Sequence, residues 1–138
     1  MQLFNIPTIA LLSFSSLILE ASANSGYIAS CVGASLISPT GNRPYWSIVA
    51  NCEKISTVFN VNTNINIDSC FGNAGGKLVA QLNGGFSGSC HSIKLSGSIL
   101  SATCGNGAGG WIANSIDTNS FIGNNNGAMF CYNQNGLY

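Results

Sequence analysis

The chain states one pattern twice, and that repetition limits what it can fold into. Asn64 to Leu78, NINIDSCFGNAGGKL, returns as SIDTNSFIGNNNGAM from Ser115 to Met129. Ile65 and Ile116, Phe71 and Ile122, Gly72 and Gly123, Asn73 and Asn124, Gly76 and Gly127, and Leu78 and Met129 all pair 51 positions apart. The likeness extends backwards, since Tyr27 stands four residues before Cys31 as Phe86 stands before Cys90, an offset of 59. The next cysteines, Cys52 and Cys104, are offset by 52, which places a seven-residue insertion in the first copy within SPTGNRPYW, 38–46. A copy of about fifty residues is too small to bury a good core alone, so the two are expected to form one unit.

The first residues read as a secretory leader: an apolar run from Ile9 to Leu19, then Glu20 and the small residues Ala21, Ser22 and Ala23. The run is too short to span a bilayer. Cleavage after residue 23 would leave 24–138 as one domain, with repeat one at about 26–82 and repeat two at about 86–134. That part holds Arg43, Lys54, Lys77 and Lys94 against Glu53, Asp68 and Asp117, so its formal charge is 4 minus 3, or +1. Four scattered cations cannot form the basic stripe that a nucleic acid or an anionic membrane requires, and neither is expected as a partner. Charged residues make up 6% of the chain, against roughly 25% in ordinary domains. Solubility falls to Asn, Ser, Thr and Gly, whose neutral donors and acceptors suit a polyhydroxyl ligand.

Six cysteines in a secreted chain indicate three disulfides. The repeat suggests Cys31 with Cys52 and Cys90 with Cys104, one loop inside each copy, and leaves Cys70 and Cys131 to join the copies. A zinc site would need close CxxC pairs, which are missing, and no metal or other cofactor is expected.

No stretch after the leader keeps a helical period, and β-branched residues fall in short runs between Gly, Asn and Ser, an all-β pattern. Strands are expected at 47–52, 55–61, 77–82, 99–104, 110–114 and 128–132. Asp68 and Asn119 are placed to cap one helical turn in each copy, with Gly72 and Gly123 ending it in a left-handed conformation. Gly75-Gly76 and Asn126-Gly127 favour the primed turns of two-residue hairpins.

An aromatic four residues before a cysteine, a second cysteine, then the SIDTNSFIGNNNGAM stretch resembles the cyanovirin-N homology domain over nearly all of 24–138. Thr118 stands where the family pattern has Leu, and in the first copy Asn66 and Asp68 stand where Asp and Asn are usual. The resemblance implies a pseudo-twofold β structure of two lobes, each a three-stranded sheet plus a hairpin, with strands exchanged between repeats. It implies a carbohydrate-binding lectin for mannose-type or related neutral glycans, existing as a monomer or a domain-swapped dimer. Carried over, one site would use Ser30, Glu53, Ile55, Asn124, Asn125 and Asn126, and the other Asn73, Ala74, Gly75, Ser89, Asn106 and Gly107. Side-chain chemistry favours the first set, because the second is rich in glycine and lacks a carboxylate.

An enzyme is not expected, since Glu53, Asp68, Asp117 and His91 offer no nucleophile with a base and an orienter. The other reading is a secreted interaction or wall-associated protein gripped through Pro39 to Trp46, where Arg43, Tyr45 and Trp46 are residue types enriched at binding hot spots. If Tyr45 and Trp46 instead pack onto the sheet, that insertion is a structural entry to the strand at Ser47.

Overall fold

The computed structural model describes residues 25–55 and 60–132 and the backbone of 134–135. The expected leader and residues 56–59 of the strand placed at 55–61 lie outside the described residues; Ile55 is a turn residue, and the strand found there runs from Asn60 to Asn66. In repeat one a 3-10 turn η1 (Tyr27–Ala29) leads into β1 (Cys31–Ile37), β2 (Ser47–Glu53) and β3 (Asn60–Asn66). A second turn, η2 (Ile67–Ser69), then precedes the hairpin β4 (Phe71–Ala74) and β5 (Lys77–Ala80). Repeat two follows the same order: η3 (Phe86–Gly88), β6 (Cys90–Ser96), β7 (Ile99–Gly105), β8 (Trp111–Asp117), η4 (Thr118–Ser120), β9 (Gly123–Asn125) and β10 (Ala128–Cys131). A short β11 (Gln134–Asn135) adds to β10.

β1-β2-β3 and β6-β7-β8 are antiparallel three-stranded sheets. The connection between β1 and β2 runs from 38 to 46, nine residues, and that between β6 and β7 is Gly97 and Ser98, two residues. The difference of seven is the insertion inferred from the cysteine offsets. Inside it, Thr40 and Arg43 exchange backbone hydrogen bonds, so the insertion closes on itself as a small turn. Trp46 packs against the core, and its carbonyl accepts the Ile67 N–H at 3.0 Å. That contact fits Trp46 as the entry to β2.

All six cysteines are paired as expected: Cys31–Cys52, Cys90–Cys104 and Cys70–Cys131. The first two join residues directly opposite in the register of β1/β2 and β6/β7, where alternate cross-strand neighbours approach closely enough for a bridge. Both first strands carry a bulge just after the cysteine. At that place Gly33 has φ 70° and its counterpart Ser92 has φ 56°, a left-handed conformation that glycine adopts freely and serine does not.

The two hairpins turn at Gly75-Gly76 and Asn126-Gly127, all four residues with positive φ, as a two-residue type I′ turn requires. Each hairpin lies on the sheet of the other repeat. The Met129 N–H donates to Thr63 Oγ1 on β3, and at the equivalent point the Leu78 N–H donates to Asn114 Oδ1 on β8. Two lobes result, β1-β2-β3 with the β9–β10 hairpin and β6-β7-β8 with the β4–β5 hairpin. One hydrophobic cluster serves both, drawing Tyr27, Ile48, Phe71, Phe86, Leu100, Ile122 and Met129 from the two repeats.

The caps of η2 and η4 differ from expectation. Asn66 and Asp117 cap these turns, each accepting the N–H two residues on, from Asp68 and Asn119. Asp68 and Asn119 reach across the chain instead. Asp68 accepts the Ser87 N–H and hydroxyl at 2.9 and 2.7 Å, and Asn119 accepts the Ile28 N–H at 3.0 Å. Each therefore fastens the start of the opposite repeat. Gly72 and Gly123 are strand residues without positive φ. Both Gly72 and Gly84 serve close packing: a Cβ on Gly72 would run into the Gln81 side chain, and one on Gly84 would lie 2.6 Å from the Gly72 Cα and 2.5 Å from the Phe71 carbonyl oxygen.

Candidate functional site

Asn73 and Asn124, equivalent residues of the signature, are organised identically. Asn73 Nδ2 donates to Ser89 Oγ and to the Gly105 carbonyl, both at 2.9 Å, while its Oδ1 accepts the Gly76 N–H at 2.7 Å. Asn124 Nδ2 donates to Ser30 Oγ at 2.9 Å and to the Glu53 carbonyl at 3.0 Å, and its Oδ1 accepts the Gly127 N–H at 2.8 Å. Each amide is fully committed to fastening a hairpin turn between two segments of the opposite repeat. Neither keeps a side-chain hydrogen for a ligand. These asparagines shape a site without offering it free donors.

In the first lobe the structure gathers Ser30, Glu53, Asn124 and Asn126 around that turn. Asn126 Oδ1 accepts the Ile55 N–H at 2.8 Å, which brings Ile55 to the same rim with its side chain 93% exposed. Asn125 is exposed on β9.

In the second lobe a groove of about 560 Å³ opens between the β4–β5 turn, the η3–β6 junction and the loop from β7 to β8. Asn73, Gly75, Ser89, Asn106 and Gly107 line it, five of the six residues assigned to this site from the sequence. Ala74 is exposed in the same turn. Gly88, Gly105 and Trp111 complete the lining. None of the lining side chains is ionisable.

Asn106 holds the loop by accepting the Ala108 and Gly110 N–H groups on Oδ1, at 2.8 and 2.9 Å. Its Nδ2 makes no hydrogen bond among the described residues. The Ser89 hydroxyl accepts from Asn73 and keeps its own hydrogen. Trp111, 59% exposed, pairs in register with Gly105, and a Cβ on Gly105 would touch its ring at 3.6 Å. The His91 ring lies 4.6 Å from the Trp111 ring, centroid to centroid.

Gly88 and Trp111 were not assigned to the site from sequence. The sequence placed Trp111 only in the expected strand at 110–114. Its place at the groove follows from the β7/β8 register, which seats the indole over a residue with no side chain.

Two three-stranded sheets, each carrying the type I′ hairpin of the other repeat, define a tandem-repeat β protein with a neutral groove at one rim. The chain belongs to the CVNH family, whose domain model matches residues 27–130. Among solved structures it is similar to the CVNH protein of T. borchii, 28% identical over 77% of this chain and 98% of that one, TM-score 0.60. A designed cyanovirin-N homolog lectin, LKAMG, is 22% identical with the same coverage and a TM-score of 0.63. The MoCVNH3 variant, solved in complex with (N-GlcNAc)4, is 15% identical over 78% of this chain and 97% of that one, TM-score 0.67. No curated protein matches the chain.

Proposed function

We propose that the protein is a secreted lectin for neutral glycans, and that the second-lobe groove is its principal site. The observation that carries this reading is the groove's lining, which combines free neutral donors, glycine backbone and no ionisable group. A sugar presents clustered hydroxyls without charge, and a shallow site with a few fixed polar groups suits it. The MoCVNH3 complex supports carbohydrate as the ligand class. Three disulfides and the leader-like run at 9–19 support secretion, because such bridges persist in oxidising compartments.

The first lobe offers a subsidiary site around Glu53, Asn125 and Asn126. Its free side-chain chemistry is smaller than the sequence suggests, since the Asn124 amide is committed to the hairpin. A glycan array on the oxidised protein, followed by calorimetric titration of the best hit, tests the proposal. Saturable binding of a neutral oligosaccharide, weakened by substitution at Asn106, is expected. A blank array across neutral glycans would overturn it.

A further inference from the structure

We propose that Trp111 is the stacking wall of the second-lobe groove and that it selects a β-linked, gluco-configured pyranose, preferably one carrying an N-acetyl group. This rests on the lectin reading and names the sugar class that the site would take. Trp111 is a large apolar ring left 59% exposed at a groove wall, and it is held in place rather than loose, with Gly105 beneath it and His91 beside it. Its counterpart in the first lobe, 51 positions earlier, is Asn60, so the wall is particular to one lobe.

A pyranose stacks on an indole through C–H groups on one ring face. In a β-linked gluco ring every substituent is equatorial, which leaves both faces clear, whereas the axial 2-hydroxyl of mannose interrupts one of them. The unused side-chain hydrogens of the groove, on Asn106 Nδ2 and the Ser89 hydroxyl, call for a strong acceptor. The carbonyl of an acetamido group is one, and the absence of ionisable lining groups matches its neutrality. Room is also available, because a Cβ placed on Gly75, Gly88 or Gly107 would meet nothing within 4 Å.

The test titrates the oxidised protein with β1,4-linked N-acetylglucosamine tetramer, cellotetraose and α1,2-linked mannobiose, while NMR follows the Trp111 indole. The wild type should bind the N-acetylated tetramer tightest and mannobiose at least about tenfold more weakly. Trp111→Ala should weaken tetramer binding by about tenfold or more, and Trp111→Phe should retain most of it. Gly88→Val, at a position without positive φ, should block the groove while the unfolding midpoint stays unchanged. Wild-type tetramer affinity in a fully folded Trp111→Ala protein would overturn the stacking wall. So would mannobiose binding more tightly than the tetramer, an outcome that leaves the lectin reading standing. Binding of none of the three sugars would overturn both.

Discussion

The two lobes share one plan of closure and differ in the side chains it carries. Asn73 and Asn124, Asp68 and Asn119, and Asn114 and Thr63 make the same kinds of bonds between repeats in both. In the core, however, Tyr27 bonds Thr118 at 2.9 Å in one repeat pairing, while the equivalent residues are Phe86 and Ile67. At the rim, Trp111, Gly105 and His91 stand where the first lobe has Asn60, Glu53 and Val32. Groups that fasten the repeats are kept, and groups at the rim groove or in the core have diverged.

The third disulfide is the largest asymmetry, because the positions equivalent to Cys70 and Cys131 are Phe121 and Ala80. It spans 61 residues, so its removal by Cys70→Ala with Cys131→Ala should lower stability by about 4 kcal/mol on the chain-entropy estimate. Denaturant unfolding measures this, and sizing the same variant should show more dimer, because the bridge holds the two repeats of one chain together. A loss below about 1 kcal/mol would mean that the hairpin is held by its other contacts.

Asn73→Ala and Asn124→Ala should each destabilise by about 2 to 3 kcal/mol, since each strands a turn N–H and a carbonyl. Matching losses would affirm the shared plan, and unequal ones would show which hairpin is better held by packing. Only Asn73→Ala should alter the second-lobe groove.

The core pair comes next. The Thr118 hydroxyl donates to the Ser98 carbonyl at 2.7 Å, so the Tyr27 hydroxyl is the donor to Thr118. Thr118→Val leaves that buried hydroxyl unpartnered and should cost about 1 to 3 kcal/mol. Combining Tyr27→Phe with Thr118→Ile copies the other repeat pairing and should recover most of the loss, which a double-mutant cycle reads directly. Burial raises the Tyr27 pKa above 10.0 and the charge of Asp117 raises it further, opposed only by a Thr118 hydroxyl turned to donate to the phenolate. A raised folded value gives stability that is complete below the unfolded pKa and is lost as pH climbs from 10.0 through the folded one. Tyr27→Phe should therefore flatten the alkaline limb of the stability profile.

The smallest expected effect lies at the paired bulges. Ser92→Gly relieves a left-handed serine and should stabilise by about 0.5 to 1 kcal/mol, while Gly33→Ser should lose a similar amount. Thermal midpoints decide whether the two bulges are equivalent.

Much of this was legible because it is local or repeated. Duplicate spacing disclosed the disulfides and the insertion, and the Gly75-Gly76 and Asn126-Gly127 dipeptides announced their turns. What was hidden depends on partners far along the chain. Asp68 looked like a cap because capping is the local use of such a residue, but Ser87, 19 positions on, claims its carboxylate. Asn124 looked like a free sugar ligand because spacing cannot show Ser30, 94 positions away, taking one of its hydrogens. Thr118 departs from the family pattern for a reason visible only once Tyr27 is beside it.

Strand exchange gives the groove a mixed parentage. Asn73 and Gly75 come from repeat one, and Ser89, Asn106 and Trp111 from repeat two. A ligand seated there touches both halves at once and favours only the docked arrangement. By mass action, ligand at a hundred times its dissociation constant would add about 2.7 kcal/mol to the association of the repeats. A glycan bound there, as proposed, would act as a reversible crosslink beside the covalent one at Cys70–Cys131, and a protein short of that disulfide would then depend on it to stay assembled.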